Sequence, residues 1–406
     1  MNPIQERLLR LLSYSPAPTE TFPRDWSSDD WQAVVAEADR HGLVPLLQHR
    51  LQRRFPAEQV PPPAKGFLQR GHRACAVKNF LRFRALAPAL AGLAQAGIPV
   101  IVLKGAYLAV MVYENMSLRP MSDVDLLLRP EDVLRADPIL AQAGFQRQEL
   151  AATLAQGLNE FHYRQRSGQV QLEAHWELYA PDYPFRFDLE GMWRTAVPVK
   201  IAGAEALAFA PEDQLIHLAS HAAIHRFEFG LRSLADLAEV VARRRIDWPL
   251  LAEKAGRQSV GRAVAVPLAL ARELFHAEVP AATIADLGGA ALPAALFSEA
   301  RETVLLNARA RREHGEPNPN LVLFFGRRNW KDRLKLVRSR LFPPRRILAT
   351  MYPPAADSPL IWFCYPRHFF FIFGRNLRGM RTLFKGKLGR SADRSRAGEL
   401  MDWLLQ

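Results

Sequence analysis

The segment SLRPMSDVDLLLRPED, residues 117–132, places two aspartates one residue apart at the start of an apolar run. Because side chains alternate between the two faces of a strand, Asp123 and Asp125 point to one face while Val124 and Leu126 point to the other. Two carboxylates this close repel each other and resist removal from water unless protons or cations neutralise them. The segment therefore predicts a strand with one face in the core and the other at a site, where a divalent metal ion is the simplest neutralising group.

Two further segments predict strands beside this one. IPVIVLKG, residues 98–105, is short, rich in β-branched residues and closed by glycine, which is typical of a buried strand. GQVQLEAHWEL, residues 168–178, alternates apolar side chains with polar ones that include Glu173 and His175. Helices are expected in the linking segments AYLAVMVYEN and EDVLRADPILAQAG. We therefore expect a small mixed α/β unit with three inner strands.

A third carboxylate on the neighbouring strand suits metal chemistry. Glu173 has the alternation needed to join Asp123 and Asp125 in one cleft. Mg²⁺ prefers oxygen ligands and keeps places for water and for phosphate oxygens. Two such ions, about 3.5–4 Å apart, can activate an attacking hydroxyl and hold the leaving pyrophosphate. The cluster therefore predicts Mg-dependent transfer of a nucleotide from an NTP to a hydroxyl acceptor, with Glu173 helping to deprotonate that hydroxyl.

The phosphates of an NTP need hydrogen-bond donors as well as metal ions. The segment LKGAY offers backbone amides around Gly105 at the start of a predicted helix, whose dipole favours anions. Lys104 or Arg119 can add charge-assisted hydrogen bonds, and Ser122 can contact a phosphate oxygen. For Lys104 and Arg119 the alternative is an ion pair with the nearby acids.

The flanking sequence reads as helical, and the length of 406 residues favours two or three domains. SSDDWQAVVAEADR, residues 27–40, begins with a capping signal and spaces its apolar residues along one helix face. APEDQLIHLASHAAIHRF, residues 210–227, places proline and acids in its first turn. We divide the chain into an N-terminal helical region, a catalytic unit, a helical domain and a basic, aromatic-rich C-terminal region, with bounds at 1–95, 96–210, 211–300 and 301–406.

The positive charge is concentrated in the last of these regions. Residues 301–406 contain 22 of the 54 Lys and Arg but only 8 of the 41 Asp and Glu, so they account for the whole net charge of +13. Such a surface favours an anionic partner, either RNA or acidic lipid. The aromatic run at residues 369–373, between Arg367 and Arg375, favours a membrane surface. A helical subdomain with a solvated basic face is the alternative.

The cellular compartment is predicted from cysteine usage and from the pattern of apolar runs. Cys75 and Cys364 lie far apart, which argues against a disulfide framework and fits a reducing cytoplasm. The N-terminal segment lacks the features of a secretory signal, and no apolar run reaches the length of a membrane-spanning helix. We expect a cytoplasmic protein, with any membrane association confined to the membrane surface.

The order of these motifs resembles a known family. PVIVLKGAYLA, LRPMSDVDLLLRPED, LEAHWEL, PEDQLIHLASHAAIH and LRSLADLAEVV follow one another as in the bacterial family described as uncharacterised nucleotidyltransferases, which belongs to the DNA polymerase β-like superfamily. The resemblance extends from about residue 25 to about residue 270. Its most specific part is LKG followed by R-x-x-S-D-x-D.

The resemblance implies an α+β fold, with a small mixed-sheet nucleotidyltransferase-like catalytic unit embedded in a mostly helical protein. It places the family's metal-binding pair at Asp123 and Asp125, its glycine motif at Gly105 and the superfamily's third acid at Glu173. It also implies two Mg²⁺ ions and an NTP as donor substrate. One departure is Ala106, which stands where the superfamily usually has a second glycine or a serine, so that a hydroxyl donor is absent there.

Other interpretations of these motifs remain open. A D-x-D pair also occurs in Ca²⁺-binding turns and in glycosyltransferases that use nucleotide sugars, and a nucleotidyltransferase fold can serve as a non-catalytic adaptor. The imidazoles of His217, His221 and His225 recur every four residues, as in a transition-metal site or in a polar stripe against the catalytic unit. Asp236 follows Arg232 by four residues, and we expect an ordinary helical ion pair between them.

Overall fold

The structure, a computed structural model, describes most of the chain up to residue 306 and two short segments after it. The described residues are 1–14, 25–55, 59–148, 159–179, 185–306, 358–370 and 399–405, with the single positions Pro23, Arg338, Leu341, Phe342, Arg345, Leu348 and Tyr352. Most of the basic C-terminal region falls outside these residues.

Four helices precede the sheet. Helices α1 and α2 both begin at capping boxes, in which the side chain of the N-cap residue and the side chain three residues later satisfy each other's backbone N–H groups. The apolar residues predicted for one face of α2 are all buried, among them Trp31 and Val34. The bounds are α1 Pro3–Leu12, α2 Ser28–Arg40, α3 Val44–Arg54 and α4 Pro62–Gln95.

A seven-stranded mixed sheet follows, with the strand order β3-β4-β5-β2-β1-β7-β6. The three predicted strands, β1, β2 and β5, are neighbours in this sheet, and β1 is much shorter than its predicted segment. The bounds are β1 Ile101–Val102, β2 Val124–Leu127, β3 Phe145–Arg147, β4 Glu160–Gln165, β5 Gln171–His175, β6 Val197–Ile201 and β7 Ala204–Ala208.

The strand pairing brings the two acidic segments side by side. Strand β2 runs parallel to β5, with Asp125 opposite Glu173. Strand β4 runs antiparallel to β5, with Glu160 opposite His175. Because this register sets polar residues opposite polar residues, the polar side chains of these strands share one face of the sheet. The other face is apolar and carries fully buried residues such as Leu126.

Helical segments connect these strands. Helix α5 is a single turn directly after β1 and continues into a π-helical turn, Leu108–Val112. The helix after β2 ends before Gly144, whose φ of +90° is accessible to glycine at little cost. The bounds are α5 Lys104–Tyr107, α6 Val133–Gln142 and α7 Leu189–Thr195.

A second group of helices follows the sheet. Helix α8 is almost wholly buried and packs against α9 and α11, so it forms the centre of this group. Near the C-terminus, residues 399–404 are helical and bury Trp403, over which the Arg262 guanidinium of α11 lies. The bounds are α8 Pro211–Ile224, α9 Leu231–Arg243, α10 Trp248–Arg257, α11 Gly261–Phe275, α12 Ala281–Asp286 and α13 Ala294–Leu306.

The fold class predicted from the sequence is confirmed, because a mixed sheet lies within a mostly helical protein. The sheet is larger than expected, since β3, β4, β6 and β7 were not predicted. The bounds drawn at residues 95, 210 and 300 remain a prediction, and the basic, aromatic-rich region predicted at residues 301–406 lies largely outside the described residues. No helix in the described part of the chain is both long and apolar enough to cross a membrane.

Candidate active site

The polar face of the sheet gathers three pairs of titratable residues, one pair from each of three adjacent strands. Each pair is separated by one residue, so both of its members point to the same face. A cation, Lys104, joins these pairs from the end of β1. The preceding residue, Leu103, donates its backbone N–H to the carbonyl of Asp125 at 3.0 Å and so fixes the position of Lys104. The pairs are Asp123 and Asp125, Glu173 and His175, and Glu160 and His162.

His175 lies at the centre of this cluster and is buried. Its Nδ1 is 2.7 Å from the Glu160 carboxylate, and its Nε2 is 3.2 Å from the Asp125 carboxylate and 3.5 Å from that of Glu173. Burial disfavours the imidazolium, but the three surrounding carboxylates hold the pKa of His175 well above its usual range. His175 therefore remains protonated near neutral pH and links the acids of all three strands.

Lys104 neutralises the same group from the other side. Its Nζ donates to Asp125 Oδ1 at 2.8 Å, and the side chains of both residues are largely buried. Burial raises the pKa of Asp125, but Lys104 and His175 outweigh it and hold that pKa well below its usual range. Burial likewise lowers the pKa of Lys104, but Asp125 and Glu173 raise it above its usual range. The pair is therefore fully ionised. The sequence left open whether Lys104 binds phosphate or pairs with a nearby acid, and the structure shows the ion pair.

Asp123 is the acid of this cluster that the protein neutralises least. Burial, together with the charges of Asp125 and Glu173, raises the pKa of Asp123 to about 6. Lys104 opposes this rise, as does the Ser122 hydroxyl, which donates to Asp123 Oδ2 at 3.0 Å. An ionised carboxylate at this position needs a further cation nearby.

The donor set fits a divalent metal ion. Ligand atoms of Asp125, Glu173 and His175 lie within 4.8 Å of one another, and this is the only such group found among the described residues. Asp123 is not part of that group, although its charge acts on the same carboxylates. The oxygens of Asp123, Asp125 and Glu173 are hard donors of the kind that Mg²⁺ takes, and His175 in its protonated form is a hydrogen-bond donor to them rather than a ligand.

Gly105 packs against the Arg119 side chain, and the phosphate-binding role predicted for its backbone stays a prediction. A Cβ atom at this position would lie 2.6 Å from Arg119 Nη1 and 2.9 Å from Met121 Cγ. The missing side chain thus makes room for the Arg119 guanidinium. The preceding residue, Lys104, has a φ of +40°, which is uncommon for a residue with a side chain.

Arg119 pairs with an acid outside the cluster. Its Nε and Nη2 donate to the two carboxylate oxygens of Asp236 on α9, at 3.2 and 2.8 Å. The Tyr113 hydroxyl donates to Asp236 at 2.8 Å as well. The expected helical ion pair between Arg232 and Asp236 is therefore wrong: within the described part of the chain, no ion pair joins them. The Asp236 carboxylate accepts from Arg119 and Tyr113 instead.

The histidine stripe formed by His217, His221 and His225 at the end of α8 is not part of any group of clustered metal ligands found in the described residues. The ring centroids of His217 and His221 are 6.0 Å apart, and those of His221 and Phe229 are 5.5 Å apart and nearly parallel. His217 is buried, neither ring nitrogen has a hydrogen-bond partner among the described residues, and burial together with the Lys104 charge lowers its pKa to about 3. His217 and His221 are therefore neutral aromatic packing groups at neutral pH.

The sheet and the helices around it correspond to a known protein family. The family model described as "uncharacterised nucleotidyltransferase" matches residues 27–276, which include α2 through α11 and the whole sheet. The chain belongs to the uncharacterised nucleotidyltransferase family. The suspected family is thus confirmed. No curated protein and no solved structure matches the chain significantly.

The predicted site residues contact one another in this fold. Asp125 and Glu173 are in register on adjacent strands, Lys104 contacts Asp125, and Ser122 contacts Asp123. Gly105 and Arg119 lie against each other.

Sequence reasoning missed two members of the cluster, Glu160 and His162. His162 lies 3.2 Å from Glu160 and 3.4 Å from Glu173, and these acids raise its pKa although burial opposes them. The available signal was the alternation in the segment EFHYRQ, where Phe161 and Tyr163 are buried and the residues between them are polar.

Proposed function

We propose that the protein transfers a nucleoside monophosphate from an NTP to a hydroxyl acceptor, with Mg²⁺ as cofactor. The observation that carries this proposal is the convergence of Asp123, Asp125 and Glu173 on one polar sheet face in a chain of the nucleotidyltransferase family. Bound Mg²⁺ would polarise the phosphate oxygens and stabilise the charge that develops on the leaving pyrophosphate. Asp123 and Asp125 are the residues that would hold it, with Glu173 as the third oxygen donor.

The remaining roles follow from position and charge. The acceptor oxygen forms a bond to the α-phosphorus while the bond between that phosphorus and the bridging oxygen to the β-phosphate breaks, and pyrophosphate leaves. Glu173 accepts the proton of the acceptor hydroxyl. The Glu173 side chain is 18% exposed, whereas the Asp125 side chain is 5% exposed and already pairs with Lys104. Lys104, Ser122 and the backbone at Gly105 orient the phosphates around Asp123, and Arg119, held by Asp236, adds positive charge nearby.

The test is calorimetric binding of the four NTPs, with and without Mg²⁺, to the wild type and to the double variant Asp123→Asn/Asp125→Asn. We expect Mg-dependent binding of at least one NTP by the wild type. The double variant should lose this binding, because it removes the negative charge of two oxygen ligands. Asp286→Asn, an exposed position at the end of α12, is the control and should bind as the wild type does.

Two outcomes would overturn this proposal. Binding of a nucleotide sugar in preference to every NTP would favour a glycosyltransferase that uses Asp123 and Asp125 to hold the metal ion. Absence of nucleotide binding by the wild type would favour an adaptor, in which Lys104 and His175 are the permanent counter-ions of the carboxylates.

A further inference from the structure

Glu160 is a buried acid to which the proposed reaction gives no role. It is the first residue of β4 and lies opposite His175 in the pairing of β4 with β5. The carbonyl of Asn159 accepts the backbone N–H of Trp176 at 2.9 Å, which fixes this end of the pairing. Glu160 is 9% exposed and is not one of the clustered donor groups found among the described residues. Because a carboxylate withdrawn from water is costly unless it is paired, Glu160 depends on the groups around it.

His175 lies between Glu160 and two of the acids assigned to the metal ion. Its Nδ1 is 2.7 Å from Glu160 Oε2, and its Nε2 is 3.2 Å from Asp125 Oδ1 and 3.5 Å from Glu173 Oε2. An imidazole that was turned over would place carbon atoms where these nitrogens lie and would lose the contacts with all three acids. The contact with Glu160 therefore favours the one orientation in which Nε2 reaches both Asp125 and Glu173.

His162 makes a second link between the same two glutamates. Its Nε2 is 3.2 Å from Glu160 Oε1, and its Nδ1 is 3.4 Å from Glu173 Oε1. Each glutamate thus has one carboxylate oxygen near His162 and the other near His175. The four contacts form a closed cycle, so that rotation of either carboxylate would disturb its contacts with both imidazoles.

The carboxylates held in this way need a defined separation to bind one ion. Mg²⁺ takes oxygen ligands at about 2.0–2.1 Å in octahedral geometry, so adjacent ligand atoms lie about 3 Å apart. A glutamate side chain that is free to rotate loses conformational entropy when an ion selects one arrangement. Groups that hold metal-binding side chains in place change metal affinity roughly 10–100-fold when they are removed.

We propose that Glu160 is a positioning residue of the metal site, which orients the His175 imidazole so that it holds the carboxylates of Asp125 and Glu173 side by side. Glu160 itself contacts neither the metal ion nor the substrate. Strand β4 thereby contributes to the site through β5 and not by a ligand of its own. The inference rests on the proposed function for the identity of the metal site, but its test needs no nucleotide.

The first experiment measures binding of Mn²⁺ alone to the full chain by electron paramagnetic resonance. Mn²⁺ accepts the same oxygen ligands as Mg²⁺. Glu160→Ala should weaken Mn²⁺ binding about tenfold or more, and Glu160→Gln, which keeps an oxygen near His175, should weaken it less. Glu205→Gln, an exposed acid of β7 in the same sheet, is the control and should bind as the wild type does. Unchanged Mn²⁺ affinity in Glu160→Ala, or no Mn²⁺ binding by the wild type, would overturn the inference.

A double-mutant cycle separates positioning from the simple loss of a negative charge. If Glu160 acts through His175, Glu160→Ala should weaken Mn²⁺ binding in the wild type but should change it little in His175→Asn, where the imidazole is absent. If Glu160 acts only by its charge, the same fold-loss should appear in both backgrounds. That additive result would overturn the inference.

Thermal melting in EDTA shows whether Glu160 serves folding alone. A lower melting temperature of Glu160→Ala together with Mn²⁺ affinity equal to that of the wild type would assign Glu160 to stability and overturn the inference. If Glu160→Ala does not fold, the cycle is measured with Glu160→Gln, which has nearly the same shape. Unchanged Mn²⁺ affinity in Glu160→Gln would then overturn the inference.

The outcomes also separate this inference from the proposed function. A loss of Mn²⁺ affinity in Glu160→Ala that disappears in His175→Asn, with no NTP binding by the wild type, would retain the positioning role and reject the proposed function. Mg-dependent NTP binding and Mn²⁺ affinity that are both unchanged in Glu160→Ala would retain the proposed function and overturn the positioning role.

Discussion

At the scale of single residues, the two aspartates of the site differ in how completely their negative charges are neutralised. Asp125 has Lys104 at 2.8 Å and His175 at 3.2 Å, whereas Asp123 has only the Ser122 hydroxyl as a hydrogen-bond partner among the described residues. The pKa values of the two aspartates are consequently driven apart, one well below its usual range and the other up to about 6. Such a separation is typical of functional carboxylates, because structural acids are usually neutralised completely.

We predict that Asp123→Asn stabilises the metal-free protein at pH 7.5. An acid whose pKa is higher in the folded state binds its proton more tightly there, so the stability it contributes is present below about pH 3.9 and is lost as the pH rises through about 6. Removing the charge should raise the free energy of unfolding at pH 7.5 by about 3 kcal/mol, as measured by denaturation in EDTA.

The pH dependence separates this effect from a general gain in packing. The difference between Asp123→Asn and the wild type should shrink as the pH falls and approach zero below about pH 3, where the carboxyl group is protonated in both states. Asp286→Asn should show no difference at either pH. A variant less stable than the wild type at pH 7.5 would contradict the assignment of Asp123 as an under-neutralised acid.

At the scale of secondary-structure elements, short segments with tight contacts position the site. The turn before β2 is held to α9 by the Arg119–Asp236 pair, and Asn79 of α4 donates to the backbone carbonyls of Met116 and Arg119 at 2.6 and 2.8 Å. These contacts tie the segment that carries Asp123 to helices on both sides. Gly105 of α5 packs against this segment, since a Cβ atom at Gly105 would meet Arg119 and Met121.

We predict that Gly105→Ala destabilises the protein by about 1–3 kcal/mol in chemical denaturation, although alanine is the better helix former. The new Cβ would lie 2.6 Å from Arg119 Nη1 and would push the guanidinium away from Asp236. Gly256→Ala in α10 is the matched control, because a Cβ there would meet no atom within 4 Å. It should stabilise by about 0.5–1 kcal/mol. Equal effects at the two glycines would rule out the close approach at Gly105.

At the scale of the whole molecule, the described part of the C-terminal region exposes large apolar groups near basic ones. Leu360, Trp362, Phe363 and Phe370 are between 53% and 77% exposed. The Arg345 guanidinium lies 4.0 Å from the Trp362 ring centroid. This combination, together with the excess of Lys and Arg after residue 300, favours an anionic lipid surface as the partner of this region.

We predict that the full chain sediments with vesicles containing phosphatidylglycerol but not with pure phosphatidylcholine. Trp362→Ala/Phe363→Ala should reduce the bound fraction, because insertion of these rings supplies the apolar part of the binding energy, and added salt should reduce it through screening. Phe80→Ala, an equally exposed aromatic residue of α4, should not. Binding of RNA with no sedimentation on anionic vesicles would contradict this prediction and favour the nucleic-acid alternative.

Local patterns were sufficient for much of the fold and for the centre of the site. Alternation of side chains is a property of a few consecutive residues, so the segments around Asp123, Asp125 and Glu173 revealed both their strands and their common face. The strand β4 was missed although its alternation was present. The hairpin of β6 and β7 was missed because Ala202 and Gly203 form its turn, with φ of +51° and +82°, and lack the Asn-Gly pair that marks such turns.

The partners of the charged groups were decided by the tertiary structure. Arg119 pairs with Asp236, which lies far away in sequence, although Asp123 is its near neighbour in the chain. Electrostatic partners are selected by distance in space and by burial, and both depend on how all the elements pack. A pattern confined to neighbouring residues can therefore identify an acidic strand, but the cations that surround it are selected only when the chain has folded.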